Sequence, residues 1–217
     1  MEPIKVAAIT GGHTFDVPNF QRLMRALPGA DINVQHMDDF ASSPVETRDA
    51  YDVVLFYTML MDEPVDDGLP GYCGKPRQTL EHLGETRQGL VILHHALLGY
   101  PHWQPWSDIV GVQDRSFSYY EGQTVTSQVG NTAHPITDGV GDWTMGDETY
   151  IMADAGAGSD ILITCDHPQS NRTIAWTRVY RQSRVFCYQA GHDNVTWADP
   201  NFRLVLGRGI QWAAGRI

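Results

Sequence analysis

The chain has 217 residues, of which 42% are hydrophobic and 19% are charged, and its formal net charge is -11. These values predict one globular domain spanning residues 1–217, with enough apolar residues for a sizeable core. The negative charge disfavours nucleic-acid binding, because it repels phosphate backbones. No apolar run approaches the roughly 20 residues of a membrane span, and the first residues lack the features of a secretory signal. We therefore expect a cytoplasmic protein without a membrane partner.

The first half of the chain alternates between apolar strands and short helices. Four strands and two helices are predicted there, the strands at residues 4–10, 32–37, 51–57 and 90–94 and the helices at 19–27 and 77–83. This alternation is typical of a doubly wound α/β fold. Residues 58–75 are rich in Gly, Pro and acidic side chains, so we predict a long surface loop, which in compact domains is usually functional or mobile.

In the second half, strand patterns follow one another with few helices between them. They cover residues 119–120, 124–129, 160–164, 173–177 and 184–189. The last helix has Asp199 as its N-cap and Pro200 as its first residue. The sequence thus predicts a three-layer, doubly wound, mainly parallel sheet of the flavodoxin type, with extra antiparallel strands at its edge.

Cysteine chemistry is not expected. Cys73, Cys165 and Cys187 are odd in number and widely spaced, which fits neither a disulfide framework nor a CxxC zinc site. We predict that each is buried or without a chemical role.

Three apolar strands each stop at a histidine. His13, His94 and His192 follow the apolar runs 6–10, 90–93 and 185–189. Ligands bind at the carboxyl ends of the strands in an open parallel sheet, so these side chains could converge on one point. A convergent set would form a general acid–base site or a metal site. The alternative for each residue is a structural histidine at a strand end.

For three further residues, His95, Asp193 and Glu148, the sequence allows two interpretations each. If the fourth strand continues through His94 and His95, their side chains point to opposite faces, and we expect His94 to face the site. His95 then packs under the loop or supports the site. Asp193 could orient a histidine, or it could satisfy backbone groups in a turn. Glu148 could be a metal ligand or a general base, or a surface acid.

Three further residues are candidate substrate contacts. Gly12, in the glycine pair after the first strand, could present backbone N–H groups to an anion or oxyanion. Trp103 lies in an aromatic stretch with Tyr100 and Trp106, and Trp197 follows His192 closely. Aromatic faces beside polar groups suit sugar rings, whereas the alternative for the stretch around Trp103 is a core patch.

These segments resemble the ThuA-like, trehalose-utilisation family. The most specific similarity runs from Gly191-His192-Asp193 through Trp197 to residues 199–214, and similarity extends to residues 10–16, 89–95, 134–136 and 146–150. The resemblance covers essentially the whole chain. It implies a fold like class I glutamine amidotransferases and a role in bacterial sugar catabolism, around trehalose, related disaccharides and 3-keto sugars.

The resemblance also bears on single residues. His94, Glu148 and His192 match recurrent polar positions of the family, His13 matches its opening motif, and His95 is less typical. Amidotransferases place a cysteine nucleophile in a sharp strand-to-helix turn, but the corresponding turn here contains His94, His95 and Ala96. A Cys–His mechanism therefore lacks its nucleophile, and glutamine hydrolysis is not expected.

Two hypotheses follow. In the first, the chain is an enzyme acting on a disaccharide or 3-keto-glycoside, in which His94, Glu148 and His192, with His13 and Asp193, move protons. Alternatively, His13, His94, Glu148 and His192 hold a divalent metal such as Zn, Mn or Fe. In the second hypothesis, the chain is a non-catalytic carbohydrate-binding or regulatory module on the same scaffold. Both take a small sugar as partner, and self-association into a homo-oligomer is left open.

Overall fold

The computed structural model describes residues 2–66 and 76–217, and these build one large sheet flanked by helices. Its nine strands are β1 Ile4–Gly11, β2 Ala30–His36, β3 Val53–Thr58, β4 Gly89–Leu93, β5 Ser118–Val129, β6 Trp143–Ile151, β7 Asp160–Thr164, β8 Thr173–Tyr180 and β9 Ser183–Tyr188. The described helices are α1 Val17–Ala26, α2 Met37–Ser42, α3 Val45–Asp49, α4 Pro76–Glu81, α5 Gln104–Val110, α6 Asn194–Ala198 and α7 Pro200–Ala213, with a 3-10 turn at His94–Leu98.

The sheet is mixed, so the prediction of a mainly parallel sheet is wrong. Its strand order is β2-β1-β3-β4-β9-β8-β7-β5-β6. The pairings from β2 to β9 are parallel, and those from β9 to β6 are antiparallel. The physical reason lies in the connections: only residues 181–182 separate β8 from β9, whereas a parallel crossover needs about a dozen residues or more.

The parallel half has the flavodoxin-like order and is covered on both faces. Strands β3 and β4 are buried along their whole length, which explains their continuous apolar sequences. Phe20 of α1 and Phe202 of α7 belong to the core on one face, and Phe40 of α2 and Trp106 of α5 belong to the core on the other. This half therefore has three layers, with the sheet between two layers of helices.

The structure differs from the sequence prediction at several strands of the second half of the chain. The two strand patterns at 119–129 form one strand, β5, with an irregularity in its pairing between Tyr120 and Gln123. Strand β6 was not predicted, because consecutive buried polar residues interrupt its alternation. Cys165 and Cys187 are buried, as expected. Cys73 and residues 67–75 of the predicted loop lie outside the described residues.

Helix α7 packs closely against β9 at Gly209. A Cβ atom at position 209 would lie 2.1 Å from Cδ1 of the buried Phe186, whereas one at position 207 would meet nothing nearer than 3.7 Å. We expect Gly209→Ala to destabilise the protein by about 1–3 kcal/mol through overpacking. Gly207→Ala should stabilise it by about 0.5–1 kcal/mol, because alanine favours the helix. Urea denaturation measures both free energies of unfolding, and a stabilising Gly209→Ala would contradict the packing described here.

Candidate active site

Three side chains converge beyond the carboxyl ends of the two central strands β4 and β9. His94 follows β4, His192 follows β9, and Glu148 projects from β6. His94 Nε2 lies 3.3 Å from His192 Nδ1. Glu148 Oε1 lies 3.5 Å from His94 Nε2, and Glu148 Oε2 lies 3.5 Å from His192 Nδ1. One ligand atom from each residue fits within 4.8 Å of the others, and we call this group the His94–Glu148–His192 cluster.

His94 occupies a strained turn directly after β4. The strand ends at Leu93, one residue earlier than predicted, and His94 begins the 3-10 turn with φ 55 and no solvent exposure. Positive φ is uncommon in residues other than glycine. Trp106 Nε1 donates to the Ala96 carbonyl at 3.0 Å and thereby secures the turn. This sharp strand-to-turn geometry carries a histidine here rather than a nucleophilic cysteine.

The positive φ of His94 predicts which of two substitutions, His94→Gly or His94→Ala, leaves the more stable protein. Alanine usually stabilises a folded chain relative to glycine, but a Cβ in the left-handed region costs about 1–2 kcal/mol. His94→Gly is therefore expected to be about 1 kcal/mol more stable than His94→Ala. Chemical denaturation of the two variants measures the difference between their free energies of unfolding. A more stable His94→Ala would contradict the prediction and show that the turn relaxes when the imidazole is removed.

A backbone contact sets the orientation of the His94 ring. His94 Nδ1 lies 2.7 Å from the Gln189 carbonyl oxygen, so Nδ1–H donates and the neutral ring keeps its lone pair on Nε2. The lone pair faces the cluster. Histidines that ligate metals commonly donate their other ring N–H to a backbone carbonyl in this manner.

The Gly191–His192 segment is held from two sides. Its two N–H groups donate to the buried Asp147 carboxylate, each at 3.0 Å. The Tyr57 hydroxyl lies 3.1 Å from the carbonyl oxygens of both residues, and Trp197 Nε1 donates to the Gly191 carbonyl at 2.8 Å. His192 is thus fixed by its backbone, while its side chain stays partly exposed.

Asp147 is the anchor of this arrangement. Besides Gly191 and His192, Thr196 Oγ1 and the Glu148 N–H donate to its carboxylate, at 2.8 and 2.9 Å. Burial raises the pKa of the Asp147 carboxyl, and the electrostatic interaction with the His94 ring and these hydrogen bonds oppose that rise. A carboxylate with four donors fits a position that holds other groups in place.

Glu148 and Tyr150 share one face of β6 and both reach His94. Burial would raise the pKa of the Glu148 carboxyl, but its interaction with the His94 ring lowers it below its usual value, with help from Tyr150. Burial raises the pKa of the Tyr150 hydroxyl well above its usual value, and Glu148 adds to that rise. The Tyr150 oxygen lies 2.8 Å from His94 Nε2. The pair is therefore an ionised carboxylate beside a neutral phenol.

His13 and His95 lie beside the cluster but outside it. The rings of His13 and His95 contact each other at a tilt of 41°, with centroids 4.6 Å apart, and the ring centroids of His95 and His94 are 5.2 Å apart. His95 Nδ1–H donates to the Thr58 carbonyl at 3.2 Å, and burial lowers the pKa of its imidazole to about 2. His95 therefore packs as a neutral, supporting residue. His13 is exposed and is not among the ligand atoms that meet within 4.8 Å.

The structure gives the remaining predicted site residues, Asp193, Trp103 and Gly12, structural positions. Asp193 caps α6, because its Oδ1 accepts from the N–H groups of Val195 and Thr196; Asp147, rather than Asp193, fixes His192. Trp103 is only 5% exposed and packs in the core with Tyr100, so the structure does not bring it to the cluster. At Gly12 a Cβ would lie 2.3 Å from the Met59 carbonyl oxygen, so this glycine permits close backbone packing.

A cleft opens beside His192. Its volume is about 340 Å³, at the lower end of the range of small-molecule sites. His192 is the member of the cluster that lines it, and the other walls include His13, Asp16, Glu121, Asp193 and Trp197. The described residues that line the cleft include no lysine and no arginine. Carboxylates and aromatic faces dominate it, which suits a polar, uncharged ligand.

Sequence reasoning missed Asp147, Tyr150 and Tyr57. Tyr150 was detectable in principle, since it is two residues from Glu148 and so shares its face of a strand. The role of Asp147 had no sequence signal, because its partners are 44 and 45 residues away.

The sequence matches the model of a family described as trehalose utilisation, ThuA, over residues 12–213. The chain belongs to the ThuA family. This membership suggests a role in sugar metabolism. No curated protein sequence matches the chain significantly.

Solved structures agree on the fold. A ThuA-like protein of Parabacteroides merdae has a TM-score of 0.76 at 22% identity, over 100% of this chain and 92% of that one. A cytoplasmic protein of Salmonella typhimurium has a TM-score of 0.66 at 10% identity, over 96% and 98% of the two chains. A glutamine amidotransferase of Thermotoga maritima has a TM-score of 0.58 at 11% identity, over 99% of both. This ThuA chain thus has an amidotransferase-like fold with a large mixed sheet.

The helices described in residues 2–66 and 76–217 lack the length and apolar character that crossing a membrane requires.

Proposed function

We propose that this ThuA chain is an enzyme of sugar catabolism that acts on a disaccharide or 3-keto-glycoside at the His94–Glu148–His192 cluster. The observation that carries the proposal is the convergence of two imidazoles and a carboxylate within 3.5 Å contacts, next to a cleft of about 340 Å³. Buried groups of this kind are the usual means of acid–base and metal-assisted chemistry.

The cleft supports an uncharged substrate. Asp16, Glu121 and Asp193 line it. Carboxylates accept hydrogen bonds from sugar hydroxyls but repel phosphates and uronic acids. The net charge of -11 acts in the same direction. We therefore propose a neutral sugar as the partner, a cytoplasmic location like that of the Salmonella relative, and no nucleic-acid or membrane partner.

We propose that the cluster holds a divalent metal, for which zinc fits best, ahead of manganese and iron. A tetrahedral zinc centre with bonds of about 2.0–2.1 Å keeps its ligand atoms about 3.3–3.4 Å apart. His94 Nε2 and His192 Nδ1 are 3.3 Å apart, and each lies 3.5 Å from a different oxygen of Glu148; with one atom from each residue, the three donors lie within 4.8 Å of one another. Two histidines and one glutamate are also a donor set of catalytic zinc sites. When bound, such a metal polarises a carbonyl or hydroxyl oxygen of the substrate.

The side chains around the cluster have separate tasks in this proposal. Tyr150 holds its proton on the phenol oxygen, which lies 2.8 Å from His94 Nε2, and it can donate that proton to the nearby Glu148 when His94 Nε2 is engaged. His192 orients the substrate from the cleft floor. His13, exposed on the cleft wall, is placed to carry a proton between the substrate and water.

The test is turnover with defined sugars. Purified protein is incubated with trehalose and with its 3-keto form, and products are followed by mass spectrometry. We expect product in proportion to protein concentration and a loss of more than about 100-fold in His94→Ala and His192→Ala. Asp199→Asn is the matched control, since Asp199 caps α7, is not among the residues that line the cleft, and asparagine caps a helix equally well. Saturable sugar binding without any product would overturn the enzyme proposal in favour of a carbohydrate-binding module.

A further inference from the structure

We propose that Glu121 is the specificity-determining residue of the cleft, and that its carboxylate binds two neighbouring hydroxyl groups of a sugar beside the His94–Glu148–His192 cluster. Its side chain lines the cleft together with His13 and His192. Glu121 lies on β5, and the neighbouring strand β6 carries Glu148. The inference rests on the proposed function and adds to it the residue that selects the substrate.

Two of the three carboxylates that line the cleft already hold the starts of helices. Both oxygens of Asp16 accept hydrogen bonds from Asn19 at the start of α1, and one of them also accepts from Asn194 Nδ2 at 3.0 Å. Asp193 Oδ1 accepts from two backbone N–H groups at the start of α6. Among the described residues, the exposed carboxylate of Glu121 has no hydrogen-bond or ion-pair partner. Glu121 is therefore the lining carboxylate with both oxygens available to a ligand.

The pairing of β5 with β6 is irregular at Glu121. Tyr120 pairs with Thr149. Three residues further along β5, Gln123 pairs with Asp147, which is only two residues away from Thr149 on β6. Two residues of β5 therefore lie opposite a single residue of β6, which is the arrangement of a β-bulge.

This bulge lies opposite the carboxylate of the cluster. Glu121 and Gly122 face Glu148, and Gly122 has φ 63, the left-handed conformation typical of a glycine in a bulge. Side chains alternate along a strand, so Glu121 shares a face with Tyr119, whose partner on β6 is Tyr150. Glu148 and Tyr150 reach the cluster from that same face. Bulges often lie next to active sites, where they direct a side chain, and here the backbone places the free Glu121 carboxylate beside the cluster.

The charge of Glu121 disfavours a structural role. Two carboxylates at facing positions of a strand pair, here Glu121 and Glu148, repel each other and lower the stability of the sheet. A sugar hydroxyl, by contrast, donates a hydrogen bond to a carboxylate oxygen, and such charge-assisted bonds are about twice as strong as bonds between neutral groups. The two oxygens of one carboxylate can accept from two adjacent hydroxyls. A neutral sugar with an unsubstituted pair of neighbouring hydroxyls is therefore the ligand that Glu121 would select.

The first experiment compares trehalose binding by the wild type, Glu121→Ala and Glu121→Gln. Calorimetry gives Kd, and mass spectrometry of the same samples gives turnover. We expect Glu121→Ala to raise Kd about 10- to 100-fold, and Glu121→Gln, which keeps one oxygen acceptor, to raise it about 10-fold. Because the contacted hydroxyls are not the reacting atoms, kcat should fall less than about threefold. Glu46→Ala removes an exposed glutamate of α3 outside the cleft and is the control, with an expected change below about twofold.

The second experiment uses trehalose derivatives that each lack one hydroxyl group. In the wild type, loss of either of two adjacent hydroxyls should weaken binding about 10-fold. In Glu121→Ala, the same losses should change Kd less than about twofold, because the partner of these hydroxyls is gone. Equal losses in the two proteins at every hydroxyl position would overturn the proposal.

Protein stability is the readout for a merely structural role. Glu121→Gln should change the unfolding equilibrium constant by less than about twofold, since the side chain is exposed and faces another carboxylate. A tenfold or larger rise would show that Glu121 supports the fold and would overturn its role in selecting a sugar. A loss of Zn²⁺ affinity as large as that in His192→Ala would instead make Glu121 a metal ligand, which also overturns it.

The binding and turnover results separate this inference from the proposed function. Product formation with an unchanged Kd in Glu121→Ala would overturn the role of Glu121 and leave the enzyme proposal standing. Weaker trehalose binding in Glu121→Ala, without product even in the wild type, would support the contact and overturn the enzyme proposal. A wild-type protein that bound no trehalose would overturn the inference.

Discussion

Asp147→Ala is expected to destabilise the protein by about 3–5 kcal/mol and to release the His192 loop. The change removes the acceptor of four hydrogen bonds at once, three of them buried and one partly buried. The donors include the N–H groups of Gly191 and His192, which would lose their partner in the interior. Breaking a buried, multiply bonded charge costs this much because the remaining groups stay desolvated. Urea denaturation with a two-state fit gives the free energy of unfolding.

Asp193 is a matched control for Asp147, because it is also a capping carboxylate but lies at the surface. Asp193→Ala removes an N-cap and should cost only about 1 kcal/mol, whereas Asp193→Asn should be nearly neutral. Asp147→Asn, by contrast, turns an NH₂ group toward the Gly191 N–H or its neighbours and should cost about 2–3 kcal/mol. Equal costs at the two positions would contradict the anchoring role of Asp147.

Removing one member of the His94–Glu148–His192 cluster is expected to lower the affinity for Zn²⁺ by more than about 100-fold. Loss of a supporting residue alone typically costs 10- to about 100-fold, and loss of a direct ligand costs more. His192→Ala is the preferred variant, since its side chain is 22% exposed and its removal leaves the buried part of the cluster intact. Elemental analysis of the purified protein and competitive titration with Zn²⁺ after chelation give the affinities.

His13→Ala is the control for the metal experiment. His13 is an exposed histidine on the same cleft and was a candidate ligand by sequence, but its ring packs at a tilt against His95. We expect its loss to change Zn²⁺ affinity by less than about threefold. If His13→Ala weakened binding as much as His192→Ala, the metal would have to sit between them, outside the cluster. A wild-type protein that bound no divalent metal would leave the cluster as an acid–base site.

The residue in the turn after β4 decides whether this amidotransferase-like fold could use a thiol nucleophile there. The strained turn after β4 carries His94, and Cys165 and Cys187 are buried elsewhere in the fold. This turn therefore offers no thiolate nucleophile, and the fold alone does not assign glutamine hydrolysis to this chain.

Sequence reasoning located the parallel strands and the strand-end histidines well. Continuous apolar runs such as β4 are visible because both faces of a central parallel strand are buried. His94 and His192 could be found because each directly follows such a run. The strands of the antiparallel half were harder to predict from the sequence. In β6, the polar residues Asp147, Glu148 and Thr149 are buried together, which breaks the alternation by which a strand is recognised.

By itself, the sequence determined the elements whose signals are local: the apolar strands, the Asp199–Pro200 start of α7, and the positions where histidines end strands. Only the tertiary structure decided which of these residues meet. It joined His94 and His192 with Glu148, left His13 on the cleft wall and put Trp103 in the core. It also gave the anchoring role to Asp147 rather than to Asp193. The physical reason is that these choices depend on contacts between residues dozens of positions apart, formed when β6 folds back over the strand ends, and no local pattern encodes such a contact.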